Sequence, residues 1–171
     1  MFSMSRPDYR IAPARSERDV EDVRALFQAY AAWLGLDLMY QGFADELAGL
    51  PGKYAPPGGA LLLARSDEGV PAGCVGLRPL DRQGCCEMKR LYVAPEARGH
   101  GVGRVLAHAV IAEATRIGYR EIMLDSLPKL EQATAMYRRM GFRPIAPYYD
   151  TPVVATLFFS KRLGVEGASE G

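Results

Sequence analysis

The chain has 171 residues, of which 49% are hydrophobic and 24% charged, with a formal net charge of +1. A chain of this length buries about two-thirds of its unfolded surface, so a sizeable core forms without staples. The near-neutral balance excludes bulk attraction to nucleic acid or to a membrane surface as an organising property, and any basic patch must be local.

Tyr9–Pro13 is a short strand candidate. Ser16 with Asp19 three positions on resembles a capping box, and Val20, Val23, Phe27, Tyr30, Ala31 and Leu34 recur at helical spacing. The pattern predicts a helix from about Glu17 to Leu34, stopped by Gly35. A weaker helical segment follows over Tyr40–Leu50. Pro51-Gly52 and Pro56-Pro57-Gly58-Gly59 then bracket an irregular stretch holding Lys53 and Tyr54.

Ala60–Arg65 reads as an apolar strand, Asp67-Glu68-Gly69 as a turn, and Val70–Leu80 as the hairpin partner. Asp81-Arg82-Gln83-Gly84 turns the chain into a strand over Cys85–Val93. After a glycine loop, Val102, Val105, Leu106, Ala109, Val110 and Ile117 mark one helical face, ended by Gly118. Glu121–Ser126 is a strand. Pro128 suits the first turn of another helix, with Ala133, Met136, Tyr137 and Met140 on one face. Phe142–Pro147 and Ala155–Arg162 form a closing strand pair. This order predicts an α/β (α+β type) fold: a mixed, mostly antiparallel sheet with helices on both faces. One domain is expected over 1–171, with 1–7 and 164–171 flexible.

Cys74, Cys85 and Cys86 are odd in number and two are adjacent, a poor disulfide framework. Reduced, buried thiols of a cytoplasmic protein are expected. With His100 and His108 as the only histidines and no Cys-x-x-Cys, no metal site is expected. No apolar run approaches membrane-spanning length, and Met1–Pro7 has no apolar core of a leader.

The stretch Met88–Ile117 organises the rest: a strand ending Leu91-Tyr92-Val93, a turn, the loop Arg98-Gly99-His100-Gly101-Val102-Gly103, then a helix. Amides of such a loop converge on one point and the helix adds its positive end, which makes a site for a phosphate or pyrophosphate. Lys89, Arg90, Arg98, His100 and Arg104 are the candidate basic patch. A P-loop is excluded, because Gly103 is followed by Arg104-Val105 rather than Lys-Ser/Thr. A dinucleotide fingerprint fits poorly, since the glycines have the wrong spacing, although Asp125 stands roughly where a ribose-binding acid is expected.

Arg-x-x-Gly-x-Gly after a strand ending Leu-Tyr-Val resembles the acyl-CoA loop of the GNAT superfamily of N-acyltransferases. Downstream, Tyr137 four residues before Gly141-Phe142 is similar to the family's tyrosine-bearing helix. One departure is Leu130, where the family often has Asn. The resemblance implies an acetyl-CoA-dependent N-acetyltransferase. Gly99, Gly101 and Gly103, with His100, Val102, Arg98 and Arg104, would hold the pyrophosphate of coenzyme A. Leu91, Tyr92 and Val93 would pair with the pantetheine arm.

A lysine-like amine near pKa 10.4 must lose a proton at a cost of roughly 4–5 kcal/mol at pH 7. Glu87 is the candidate base, because it opens the thioester-bearing strand and shares a face with Lys89. Its alternative role is a salt-bridged strand residue. Tyr137 would donate a proton to the departing thiolate, the alternative being plain core. An acetyl-cysteine intermediate on Cys85 or Cys86 is disfavoured, because no histidine lies near either in sequence.

For the acceptor, Trp33, Tyr40, Gln41, Phe43 and Tyr54 form one group and Tyr148 and Tyr149 another. Adjacent residues of an extended strand point to opposite faces, so at most one of Tyr148 and Tyr149 is expected in the cleft. The expected partner is a small-molecule amine, with no nucleic acid or membrane; a homodimer is compatible with the sequence. A peptide amine and a non-catalytic acyl-CoA sensor remain alternatives.

Overall fold

A computed structural model describes residues 8–35 and 42–164. Tyr40 and Gln41 lie outside them. Strand β1 (Tyr9–Pro13) leads into α1 (Glu17–Leu34). The Ser16 hydroxyl accepts the Asp19 amide at 3.0 Å and the Asp19 carboxylate accepts the Ser16 amide at 3.3 Å, a reciprocal cap that satisfies two orphan donors. Gly35, left-handed at φ 68°, closes the helix. The short α2 (Phe43–Ala48) follows, then β2 (Ala60–Ser66), β3 (Pro71–Pro79), β4 (Cys85–Val93), α3 (Val102–Ile117), β5 (Glu121–Ser126), α4 (Glu131–Arg139), β6 (Arg143–Pro144) and β7 (Leu157–Arg162).

The strands form one seven-stranded sheet in the order β1-β2-β3-β4-β5-β7-β6. Only β4 and β5 pair in parallel, joined through α3. Both faces are covered, which is why β2 reads as an unbroken apolar run rather than an alternation. Leu62, Ala64, Val75, Leu77 and Met88 face α3 and its Leu106 and Val110. Leu61, Leu63, Cys74 and Tyr92 face α1, against Val23 and Phe27. The α/β expectation holds.

Four local expectations are corrected. Val105 is half-exposed, because it lies off the stripe of Val102, Leu106 and Val110 that meets the sheet. Pro128 occupies a turn ahead of α4, whose first residue is Glu131. The closing pair is shorter than expected: β6 has two residues, and Ala155, left-handed at φ 67°, precedes β7. The weak helix ends at Ala48 rather than Leu50.

Tyr54 lies in the core, 2% exposed, with its ring edge-on to Phe27. The ring also covers Gly76. A Cβ there would sit 2.6 Å from Tyr54 Cε1 and 2.8 Å from Cδ1. Neither atom is the free end of a flexible chain. Gly76→Ala is therefore expected to cost about 1–3 kcal/mol by overpacking, read as a lowered urea midpoint. An unchanged midpoint would contradict this packing.

Candidate active site

The ladder between β4 and β5 covers only Cys85↔Glu121, Cys86↔Ile122 and Glu87↔Met123. Beyond Glu87, β4 stays paired with β3, and β5 stays paired with β7. The two facing edges separate, so a wedge opens from Met88 and Leu124 onward. A cavity of about 100 Å³ fills it, walled by Tyr30, Trp33, Leu91, Leu127, Ala133 and Tyr137 among others.

A bulge sharpens the wedge. Gly76 stands opposite Lys89 and Cys74 opposite Tyr92, so Arg90 and Leu91 together oppose Val75. Arg90 is left-handed at φ 60°, a conformation costly for a non-glycine residue. Its side chain explains how the cost is met. The guanidinium is buried, donates to Glu46 of α2 at 3.0 and 3.1 Å, and lies over the Phe43 ring at 5.1 Å. The Cys74 thiol donates to the Arg90 carbonyl at 3.5 Å.

The glycine loop follows the end of β4, and its Arg98 lies over Trp33, which lines the wedge. Gly99 and Gly101 have φ of 85° and 77°, where a side chain would be strained. Gly101 caps α3 with no side-chain acceptor, so the first-turn amides of the helix face outward. Those amides, the positive helix end and the exposed Arg104 suit a diphosphate. Open amides at the loop and an unladdered strand edge beside it therefore fit coenzyme A.

Arg98 is exposed, with its side chain lying back along the end of β4. Its Nε donates to the Val93 carbonyl at 3.1 Å, and its guanidinium stacks 5.1 Å from Trp33 and 5.8 Å from Tyr92. It pins α1 to the end of β4. His100 is exposed and lies against Tyr9, ring centres 6.0 Å apart. The expected basic patch is thus divided. Lys89 and Arg90 are buried and paired with carboxylates, and only the loop residues reach the surface.

A second cavity, about 320 Å³, lies on the face of the sheet that carries Glu87 and Lys89. Its floor alternates in charge. Arg78 Nε donates to Glu87 Oε1 at 2.8 Å, and Lys89 Nζ lies 3.3 Å from Asp125 Oδ1. Above the floor, the Tyr148 hydroxyl donates to Glu87 Oε2 at 2.6 Å and the Tyr149 hydroxyl donates to Asp125. Both tyrosines reach the cavity, contrary to the expectation for an extended strand. The chain bends at Tyr148 and Tyr149, so side-chain alternation does not apply. Lys89 lines both cavities.

Burial opposes the charged form of Asp125, but Lys89 and the Tyr149 hydroxyl more than offset it and hold the carboxyl below its usual range. Burial pushes the hydroxyl of Tyr137 up, so it stays protonated. Tyr148 is pushed the same way, first by burial and then by the Glu87 carboxylate. Burial also pushes the Cys86 thiol up to about 12 and raises Cys85. A nucleophilic cysteine needs its thiolate, so both are inert at neutral pH.

Glu87, Tyr137, Trp33, Tyr148, Tyr149 and Leu91 thus line two cavities that share Lys89, whereas Tyr92 and Val93 line neither. Tyr54 does not either, because the core holds it. The sequence reading missed Glu46, Arg78 and Tyr30. Arg78 stands opposite Glu87 only once the β3–β4 register is known, and no local signal marks Glu46. Asp125 carried a faint signal, but for a different cofactor.

The model of the acetyltransferase (GNAT) family matches residues 20–142. An uncharacterised N-acetyltransferase of Schizosaccharomyces pombe is 41% identical over 143 residues, covering 84% of this chain and 88% of its own. An uncharacterised N-acetyltransferase of Dictyostelium discoideum is 30% identical over 193 residues, covering 78% and 89%. Among solved structures, a GNAT-family acetyltransferase from Staphylococcus aureus superposes with a TM-score of 0.76 over 92% of this chain and all of its own, at 21% identity, and so shares the fold. The wedge, the bulge and the glycine loop thus belong to an acetyltransferase, and the chain is a member of the GNAT family.

Proposed function

We propose that this acetyltransferase moves an acetyl group from acetyl-CoA directly to the primary amine of a small molecule. The observation that carries the reading is the pair of cavities that share Lys89 in their walls, one in the wedge between β4 and β5 and the other walled by titratable groups. Bound acetyl-CoA would supply an acetyl thioester. The amides of Gly99, Gly101 and Gly103 and the first turn of α3, with Arg104, would hold its diphosphate. The edge of β4 at Leu91, Tyr92 and Val93 would pair with the pantetheine arm. A backbone amide beside the bulge would polarise the thioester carbonyl, a contribution of roughly 3 kcal/mol for one donor.

Glu87 would take the proton of the acceptor amine. Both of its oxygens are engaged, by Arg78 and by Tyr148, so the amine or a bridging water displaces or relays through the Tyr148 hydroxyl. Tyr137 would stabilise the leaving thiolate. Its hydroxyl is held far above the usual thiol value near 8.5, and each pKa unit costs about 1.4 kcal/mol, so full transfer from it is uphill. A hydrogen bond to the charged sulfur is the more economical role. Tyr137→Phe is accordingly expected to lower kcat by roughly 10- to 100-fold with acetyl-CoA affinity unchanged. An unchanged kcat would dismiss the role.

The test of the reading is thiol release from acetyl-CoA with panels of small amines and of peptides. Turnover of small amines is expected. Turnover confined to peptides would overturn the small-molecule acceptor, and binding without any turnover would favour an acyl-CoA sensor.

A further inference from the structure

The walls of the Glu87 cavity show what kind of amine it suits. Arg78, Arg82 and Lys89 line it against Asp81 and Glu87, an excess of one positive charge. The carboxylate at its floor leaves an incoming amine only the place of the Tyr148 hydroxyl, because Arg78 already neutralises its charge. Glu87 is 2% exposed and accepts from both Arg78 and Tyr148. Asp125, which lines the neighbouring wedge rather than this cavity, is likewise held by Lys89 and Tyr149. A polyamine or any other multiply charged cation needs carboxylates in excess, and here each buried one already has its cation.

Cationic donors, by contrast, remain. Arg78 gives Nε to Glu87 and reaches Glu46 only at 3.8 Å through its Nη1, while a guanidinium carries five donors. Arg82, in the turn between β3 and β4, lies exposed on the rim and makes no ion pair among the described residues. Both guanidinium groups line this cavity, and the fork of a guanidinium matches the two oxygens of a planar carboxylate.

Resting on the small-molecule reading above, we propose that the acceptor is an amino carboxylate, its amine at Glu87 and its carboxylate held by Arg82 with Arg78. The volume of about 320 Å³ matches a compact molecule, since it equals the space of roughly ten waters.

The test compares acetylation of free α-amino acids with acetylation of their carboxamides, side chain by side chain, using thiol release from acetyl-CoA. The amide's amine is less basic, so unaided chemistry favours the amide, and a preference for the acid reports recognition. At least one acid is expected to exceed its amide in kcat/KM by roughly ten-fold or more, the value of one charged hydrogen bond. Arg82→Ala is expected to shrink that ratio by a similar factor. Because the ratio is taken within one preparation, partial unfolding of the variant does not disturb it. Amides or simple amines turned over as well as the acids would overturn the carboxylate seat and leave the acetyltransferase reading intact. No turnover in either series, with acetyl-CoA bound, would overturn both.

Discussion

Glu87→Gln is expected to lower kcat by roughly 10²- to 10⁴-fold at neutral pH, the usual range for loss of a positioned base. The amide keeps the shape, its oxygen can still accept from Arg78 and its NH2 can donate to the Tyr148 hydroxyl in turn, so the bulge and the wedge should stand. It cannot take a proton from an ammonium. The pH profile separates this role from a structural one. The neutral fraction of a lysine-like amine rises about ten-fold per pH unit below its pKa, so the deficit of the variant should shrink steadily between pH 7 and pH 9.5. A deficit that stays constant across that range would make Glu87 a positioning residue, and an unchanged kcat would remove it from the chemistry.

Glu46→Ala is expected to have the largest effect on stability, about 3–5 kcal/mol, the usual cost of removing one partner from a buried ion pair. The Arg90 guanidinium is 2% exposed and held at two points by this carboxylate, and Arg78 stands near it at 3.8 Å. Arg90 also has the strained backbone of the bulge, so the ion pair and the left-handed residue support each other. Loss of the pair should therefore lower the urea midpoint and also weaken acetyl transfer through the bulge. Glu46→Gln, which keeps two polar atoms but not the charge, should fall between wild type and alanine. A Glu46→Ala midpoint within experimental error of wild type would show that the bulge is held by other contacts.

These two residues also show what local sequence can carry. α1 was legible because its cap, apolar stripe and terminating glycine are all local features, and the reciprocal bonds of Ser16 and Asp19 match that reading. The glycine loop was legible for the same reason. A strand, a left-handed pair of glycines and a helix start must adjoin in sequence. The bulge was not, because Arg90 has no sequence mark of positive φ and its partner lies 44 residues away. Register made Arg78 the neighbour of Glu87, and a bend placed both Tyr148 and Tyr149 over one floor. Val105 was misplaced because an apolar residue on a helix flank satisfies the helical period without meeting the sheet.

The two cavities have unequal standing in the sequence. The wedge was foreseen in part: Leu91 and Tyr137 line it as site residues, whereas the sequence assigns Trp33 to the acceptor and does not mark Tyr30. The Glu87 cavity is bounded by long-range pairs, Arg78 with Glu87 and Lys89 with Asp125, tied down by two tyrosines from a loop. Specificity is therefore expected to vary with those pairs while acetyl-CoA binding does not.

The central claim is that the loop around Gly101 and the unladdered edge of β4 together bind coenzyme A. Titration calorimetry of the full chain tests it most directly. Saturable heat with one site per chain is expected for both coenzyme A and acetyl-CoA; no heat from either would contradict the assignment of the wedge.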